Sequence, residues 1–212
     1  MSLNRRQLLL RASAGLVATG VVLPVLPAFA QSVDVETLMQ PGALPDKVQG
    51  DENAPVTVVE YASMTCGHCA SFHKGGYPHL KSEYIETGKV RFVFREYPLD
   101  PVAAAAFMLA RCAPEEKYFD VVDLMFEQQR SWAFTENPYD SLLKFARQIG
   151  FTQESFETCL KDQALLDGIY ASRDRAKAEF GVRATPTFFF NGEMESGALT
   201  VDQLDAAIAS QL

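Results

Sequence analysis

Val56-Thr57-Val58-Val59-Glu60-Tyr61-Ala62-Ser63-Met64-Thr65-Cys66-Gly67-His68-Cys69 is the stretch from which the rest of the chain can be read. Pro55 to Tyr61 is β-branched and continuously apolar enough for a buried strand. Around Cys66 the pattern turns helical and runs to about Glu86, where Gly75-Gly76 and Pro78 should loosen or kink it. On a helix, Cys66 and Cys69 share a face, so their sulfurs can meet as a disulfide or bind one metal. A C-x-x-C that follows a buried strand and opens a helix has the setting of a redox pair. A helix start leaves backbone N–H groups unpaired, and its dipole end is positive. A Cys66 thiolate placed there should have a lowered pKa. His68 adds ring polarity or positive charge near the same sulfur, and Gly67 leaves the approach open. Cys69, a turn further in, should be shielded. It would be the resolving thiol, attacking the mixed disulfide that Cys66 forms with a client. A stabilised thiolate means a stabilised reduced form, and so a disulfide readily passed on.

Working outward, Val90 to Tyr97 alternates as a second strand. Pro55 to Tyr97 is then one strand–helix–strand unit, parallel and right-handed by default. The next residues are different. Asp100-Pro101 places a cap before a helix-opening proline. Helical patterns follow over about Val102–Cys112, Glu115–Gln129, Tyr139–Gln148, Gln153–Lys161 and Leu165–Phe180, with no strand signal among them. Gly181 is a natural helix stop. Thr187–Phe190 is strand-like, Asn191-Gly192 is a hairpin turn, a short strand starts at Glu193, and Thr200 with Gln203 opens a last helix as a capping box. The order β-α-β, helices, β-β-α predicts a small α/β sheet with an inserted all-helical domain. The segments are 1–30, 31–54 as a lead-in, 55–99 as the first part of the sheet domain, 100–180 as the insertion, and 181–212 as the second part.

The chain has 212 residues, 48% of them apolar, which is enough to bury a core and excludes disordered and low-complexity classes. Residues 1–30 read as a cleavable export signal: Arg5, Arg6 and Arg11 come first, then an uncharged stretch from Ala12, then Ala28-Phe29-Ala30. Asn4-Arg5-Arg6-Gln7-Leu8-Leu9 also resembles a twin-arginine motif. Either export route predicts a bacterial periplasm, where disulfides persist. From Gln31 on, 16 basic residues face 27 acidic ones, so no basic face is available for nucleic acid.

Zinc is the alternative use of the pair. His73 and His79 are near in sequence, but they are six apart and no second C-x-x-C follows. They read as ordinary helix-face residues, and no metal or cofactor is expected. Cys112 and Cys159, 47 apart, fall in the helical block. An oxidising compartment favours a structural disulfide between them over two buried thiols.

Val58 to Cys69 resembles the active-site segment of the thioredoxin superfamily, and specifically of DsbA-like thiol:disulfide oxidoreductases. Gly181-Val182-Arg183-Ala184-Thr185-Pro186-Thr187-Phe188-Phe189-Phe190-Asn191-Gly192 is similar to that family's cis-proline strand and hairpin. The helical insertion fits the same family. The resemblance implies a thioredoxin fold, and a low-pKa, oxidising cysteine is what the family is known for. It implies a cis Thr185-Pro186 bond beside Cys66, with the Thr185 backbone pairing to an extended client. It places a buried acid at Glu60, able to take the proton of Cys69 as that thiol attacks. It implies a monomer that introduces disulfides into exported, unfolded proteins with free cysteines, reoxidised by a membrane quinone-coupled partner. The Gly67-His68 dipeptide also resembles that of protein disulfide isomerases, so isomerase or reductase action is the alternative. Residues 31–54 are too short for the N-terminal dimerisation domain of bacterial isomerases. A non-catalytic zinc- or client-binding module is the alternative from another class; it would not need both thiols.

Overall fold

A computed structural model describes residues 32–212; the expected export signal lies outside the described residues. Five strands form one sheet in the order β1 (Lys47–Gln49), β3 (Val90–Glu96), β2 (Val56–Ala62), β4 (Thr187–Phe190), β5 (Glu193–Ser196). β2 and β3 run parallel, as a strand–helix–strand unit requires, and the other pairs are antiparallel. β1 lies in the lead-in, which therefore contributes an edge strand and, before it, the short helix α1 (Val35–Leu38).

The helical stretch after Cys66 is broken where its glycines predict. α2 (Gly67–Lys74) ends at Gly75, α3 (Gly76–Leu80) follows, and a π-helical turn covers Lys81–Ile85. The insertion comprises α4 (Pro101–Cys112), a 3-10 turn at Glu115–Lys117, α5 (Tyr118–Glu127), α6 (Gln129–Trp132), α7 (Pro138–Gln148), α8 (Gln153–Leu160) and α9 (Gln163–Glu179). Asp100 caps α4 through the Ala103 N–H, and Asn137 caps α7 through that of Asp140. The last helix, α10 (Val201–Ala209), opens on the Thr200–Gln203 capping box. Between β4 and β5, Asn191 (φ 45°) and Gly192 (φ 90°) form the left-handed pair of a two-residue hairpin turn.

β3 is buried along most of its length instead of alternating, because both faces of the sheet are covered. Phe92 and Phe94 pack into the large core under α2, α4 and α5, while Val93 joins Leu38, Tyr61, Ala176 and Phe180 on the opposite face. Its two terminal charges are buried as pairs. Arg95 forks onto Asp46 at 2.8 Å through two nitrogens, and Glu96 takes Arg111 and the Tyr118 hydroxyl. Strand period two then sorts β2. Val59 and Tyr61 face the smaller core, so Glu60, between them in sequence, points with Val58 and Ala62 to the face that carries α2.

Candidate active site

Cys66 is the N-cap of α2, in extended backbone with no side-chain cap bond of its own. Cys66 is 8% exposed, so it is more enclosed than the open approach at Gly67 suggests. Cys69 is wholly buried one turn inside. Both are free thiols. The pKa of Cys66 is lowered to about 5. The Cys69 thiol, donating to it, is the main cause, and partial burial opposes the drop. The Thr185 hydroxyl and the backbone N–H groups of Cys69 and His68 lower it further. Burial pushes Cys69 well above its ordinary value, and its bond to Cys66 and the charges of Glu60 and Cys66 act the same way. One sulfur is thus a stable thiolate beside another held as a thiol, which suits dithiol–disulfide exchange.

The second sequence motif closes over the first. The Thr185-Pro186 bond is cis. It brings the Thr185 carbonyl to 3.2 Å from Cys66 Sγ, which donates to it as a thiol. The buried Thr185 Oγ1 makes no other hydrogen bond among the described residues, so a Cys66 thiolate is its natural acceptor. His68 contributes through its main chain; its side chain is exposed. Glu60 is fully buried, with Oε2 3.1 Å from His73 Nε2 and Oε1 unpartnered among the described residues.

His73 differs from its sequence reading. It is buried against Glu60 and is no ordinary helix-face residue, because i+4 from Cys69 puts it on the same buried side of α2. His79 pairs with Asp205 at 2.7 Å. Among the described residues both rings are bonded to carboxylates and neither to the sulfurs. Cys112 and Cys159 are bonded to each other, with Cα atoms 6.2 Å apart, and tie the end of α4 to α8.

Gln129 is the residue the sequence does not reveal. It looks like one more polar helix residue, yet its side-chain amide is buried and donates to Met64 O at 2.8 Å and Cys66 O at 3.0 Å. Thr65 bonds Asp100 at 2.6 Å, so the helical insertion holds the Cys66 loop at two points. Gln129→Ala leaves the Met64 and Cys66 carbonyls without that donor. A stability loss of about 1–3 kcal/mol and slower thiol exchange are expected. Denaturant unfolding with a stopped-flow exchange assay checks both; an unchanged exchange rate would mean the amide only fills space.

The family described as thioredoxin matches residues 43–210. A candidate protein-disulfide oxidoreductase of Rickettsia bellii is 33% identical over 165 residues, 77% of this chain, and the chain spans 63% of that relative's length. The crystal structure of Wolbachia pipientis alpha-DsbA1 superposes with a TM-score of 0.76 at 32% identity, covering 84% of this chain and 96% of that one. Oxidised BdbD from Bacillus subtilis shares the fold, with a TM-score of 0.68 at 21% identity over 78% of this chain and 92% of that one.

Proposed function

The chain belongs to the thioredoxin family, in its DsbA-like form with a helical insertion, and from that premise we propose that it introduces disulfides into other proteins through Cys66 and Cys69. The observation that carries this reading is the split between the two thiols. Cys66 is stabilised as a thiolate near pH 5, and Cys69 is held protonated.

A client thiolate attacks Cys66 Sγ, and the Cys66–Cys69 bond breaks with its electron pair on Cys69, which takes up a proton. A second client thiolate then attacks the client sulfur of the mixed disulfide, and Cys66 leaves as the stable thiolate. The client loses two electrons and the enzyme gains them. The cis Thr185-Pro186 segment lies beside Cys66, where an extended client can pair with backbone groups and so be accepted whatever its side chains. In the opposite direction Cys69 attacks, as it would while resolving a mixed disulfide with a reoxidising partner. The setting consistent with this chemistry is the periplasm, reached through residues 1–30, with exported proteins as clients and a quinone-coupled membrane protein as oxidant. No described helix is long and apolar enough to cross a membrane. We propose a monomer that acts as an oxidant ahead of an isomerase.

Equilibration of the pair with glutathione tests this. A potential above the roughly −220 to −260 mV of extracted cytosolic glutathione pools is expected, and one below them would make the protein a reductant. The same titration has a pH signature. Below about pH 5 reduction takes two electrons and two protons, a slope of about 59 mV per pH unit; above it Cys66 stays ionised, only one proton is taken up, and the slope halves to about 30 mV. A straight line of the steeper slope through pH 7 would show that Cys66 is an ordinary thiol.

A further inference from the structure

The exchange reading requires a proton to reach Cys69, which is wholly buried. Behind Cys69 lies a cluster that the reading has not used. Cys69 and His73 lie one turn apart on the buried side of α2, and Glu60 of β2 points up at that same face. Glu60 offers Oε2 to His73 Nε2 at 3.1 Å and keeps Oε1 free of partners among the described residues. The other ring nitrogen, Nδ1, faces Asp123 Oδ1 of α5 at 3.4 Å. Asp123 is 37% exposed and borders a cavity of about 400 Å³ whose rim includes Lys74, Lys81 and Glu127. The ring is stacked on Phe126, centroids 4.3 Å apart, and lies against Tyr77 at 4.7 Å. Its orientation is therefore fixed, with one nitrogen toward the buried acid and the other toward the partly exposed Asp123.

We propose that His73 is the proton carrier for Cys69, acting through Glu60 and held in place by Asp123. The inference rests on the exchange function proposed above and adds the source of its proton. When a client thiolate attacks Cys66 and the disulfide breaks, the pair of electrons stays on Cys69 Sγ. The proton on His73 Nε2 passes to the Glu60 carboxyl, and from there to Cys69. The products are the Cys69 thiol, the mixed disulfide and a neutral His73 whose Nδ1–H still bonds Asp123. When Cys69 attacks a mixed disulfide the same proton returns by the same groups. His73 touches neither client nor reacting sulfur, so it is a positioning and proton-holding residue.

The electrostatics agree with the geometry. Burial opposes charge on the ring, but Glu60 and Asp123 overcome it and raise the His73 pKa to about 9. At neutral pH the ring therefore has the proton to give. The titratable groups facing it are Glu60, Cys69, Tyr77 and Asp123, with Lys74 at the mouth. Tyr77 is itself pushed far up by burial and by the Asp123 and Glu60 charges, so it keeps its proton over the same range.

The test is a single turnover of the oxidised protein with a dithiol peptide, compared between wild type and His73→Asn across pH. Taking the ratio of the two rates cancels titration of the peptide thiols. His73→Asn should be slower by about tenfold or more at neutral pH. The ratio should climb toward one above about pH 9, where the wild-type ring is neutral as well. A ratio that stays flat with pH would show that the ring only packs, and a ratio of one throughout would remove it from the reaction. His73→Phe keeps the stacking on Phe126 without a proton, and should be as slow as His73→Asn. Should neither fold, Asp123→Asn, partly exposed, removes one charge that raises the His73 pKa. Its rate divided by that of wild type should dip below one just under about pH 9, where its ring has lost the proton and the wild-type ring has not, and return to one at higher pH; a ratio flat across pH overturns the proposal. If wild type itself fails to oxidise the peptide, the functional reading falls; if only the variants behave like wild type, the proton carrier alone falls.

Discussion

Cys66→Ser is expected to abolish disulfide transfer, while Cys69→Ser should accumulate stable mixed disulfides with clients. With a pKa of about 5, Cys66 is about 99% thiolate at pH 7, against a few per cent for an ordinary thiol near 8.5. Cys69 is held as a thiol and is fully buried, so no client reaches it. Cys69→Ser keeps the helix start and the Thr185 contacts around Cys66 but has no sulfur to resolve the adduct. Non-reducing electrophoresis of the two variants with a reduced, unfolded protein checks this. Adducts trapped through Cys69 in Cys66→Ser, with none through Cys66 in Cys69→Ser, would reverse the assignment.

The second large effect is on stability. The Cys112–Cys159 bond closes a loop with a sequence separation of 47 residues, joining the end of α4 to α8. In the chain-entropy account, restraining a loop of that length in the unfolded chain contributes about 4 kcal/mol. Replacing both cysteines by Ala should remove most of it and lower Tm by about 8–16 °C for a protein of this size. Exchange through Cys66 should continue at its normal rate at low temperature, because the bond lies among helices away from that sulfur. Thermal unfolding of the double variant beside a turnover assay separates the two. A loss of less than about 1 kcal/mol would mean that α4 and α8 are already held together in the unfolded chain.

The site was legible in the sequence wherever chemistry and local geometry coincide. Cys66 and Cys69 announce themselves by spacing after a strand, Pro186 by the motif around it, and Asn191-Gly192 by the turn that needs left-handed backbone. Glu60 is placed by the family resemblance, and its direction follows from period two only once Val59 and Tyr61 are seen to face the smaller core. What stayed hidden is set by the tertiary structure. Gln129 and His73 are polar residues on helices, and nothing local tells a solvated polar residue from one turned inward. Only the packing of α5 against α2 and the seating of Gln129 on the Cys66 loop make the difference. β1 is hidden for another reason: three residues in a proline- and glycine-containing lead-in carry no period, and Lys47-Val48-Gln49 is an edge strand with no fully buried residue. The alternation read into β3 was misleading because Arg95 and Glu96 look solvent-facing in sequence, and are buried only because Asp46 and Arg111 meet them.

The pairing of Val59 with Phe189 has a consequence for how the chain reaches this structure. β2 and β3 can meet early, because one short helical segment joins them. β4 lies beyond the whole helical insertion, so the second edge of the central strand is closed only by a partner on the far side of α4 to α9. Closing so long a loop costs entropy before any sheet contact repays it, and contacts between distant residues slow folding. Compacting the insertion first shortens that search. The helices that hold the Cys66 loop in the finished protein would therefore also draw β4 and the Thr185-Pro186 segment within reach of β2.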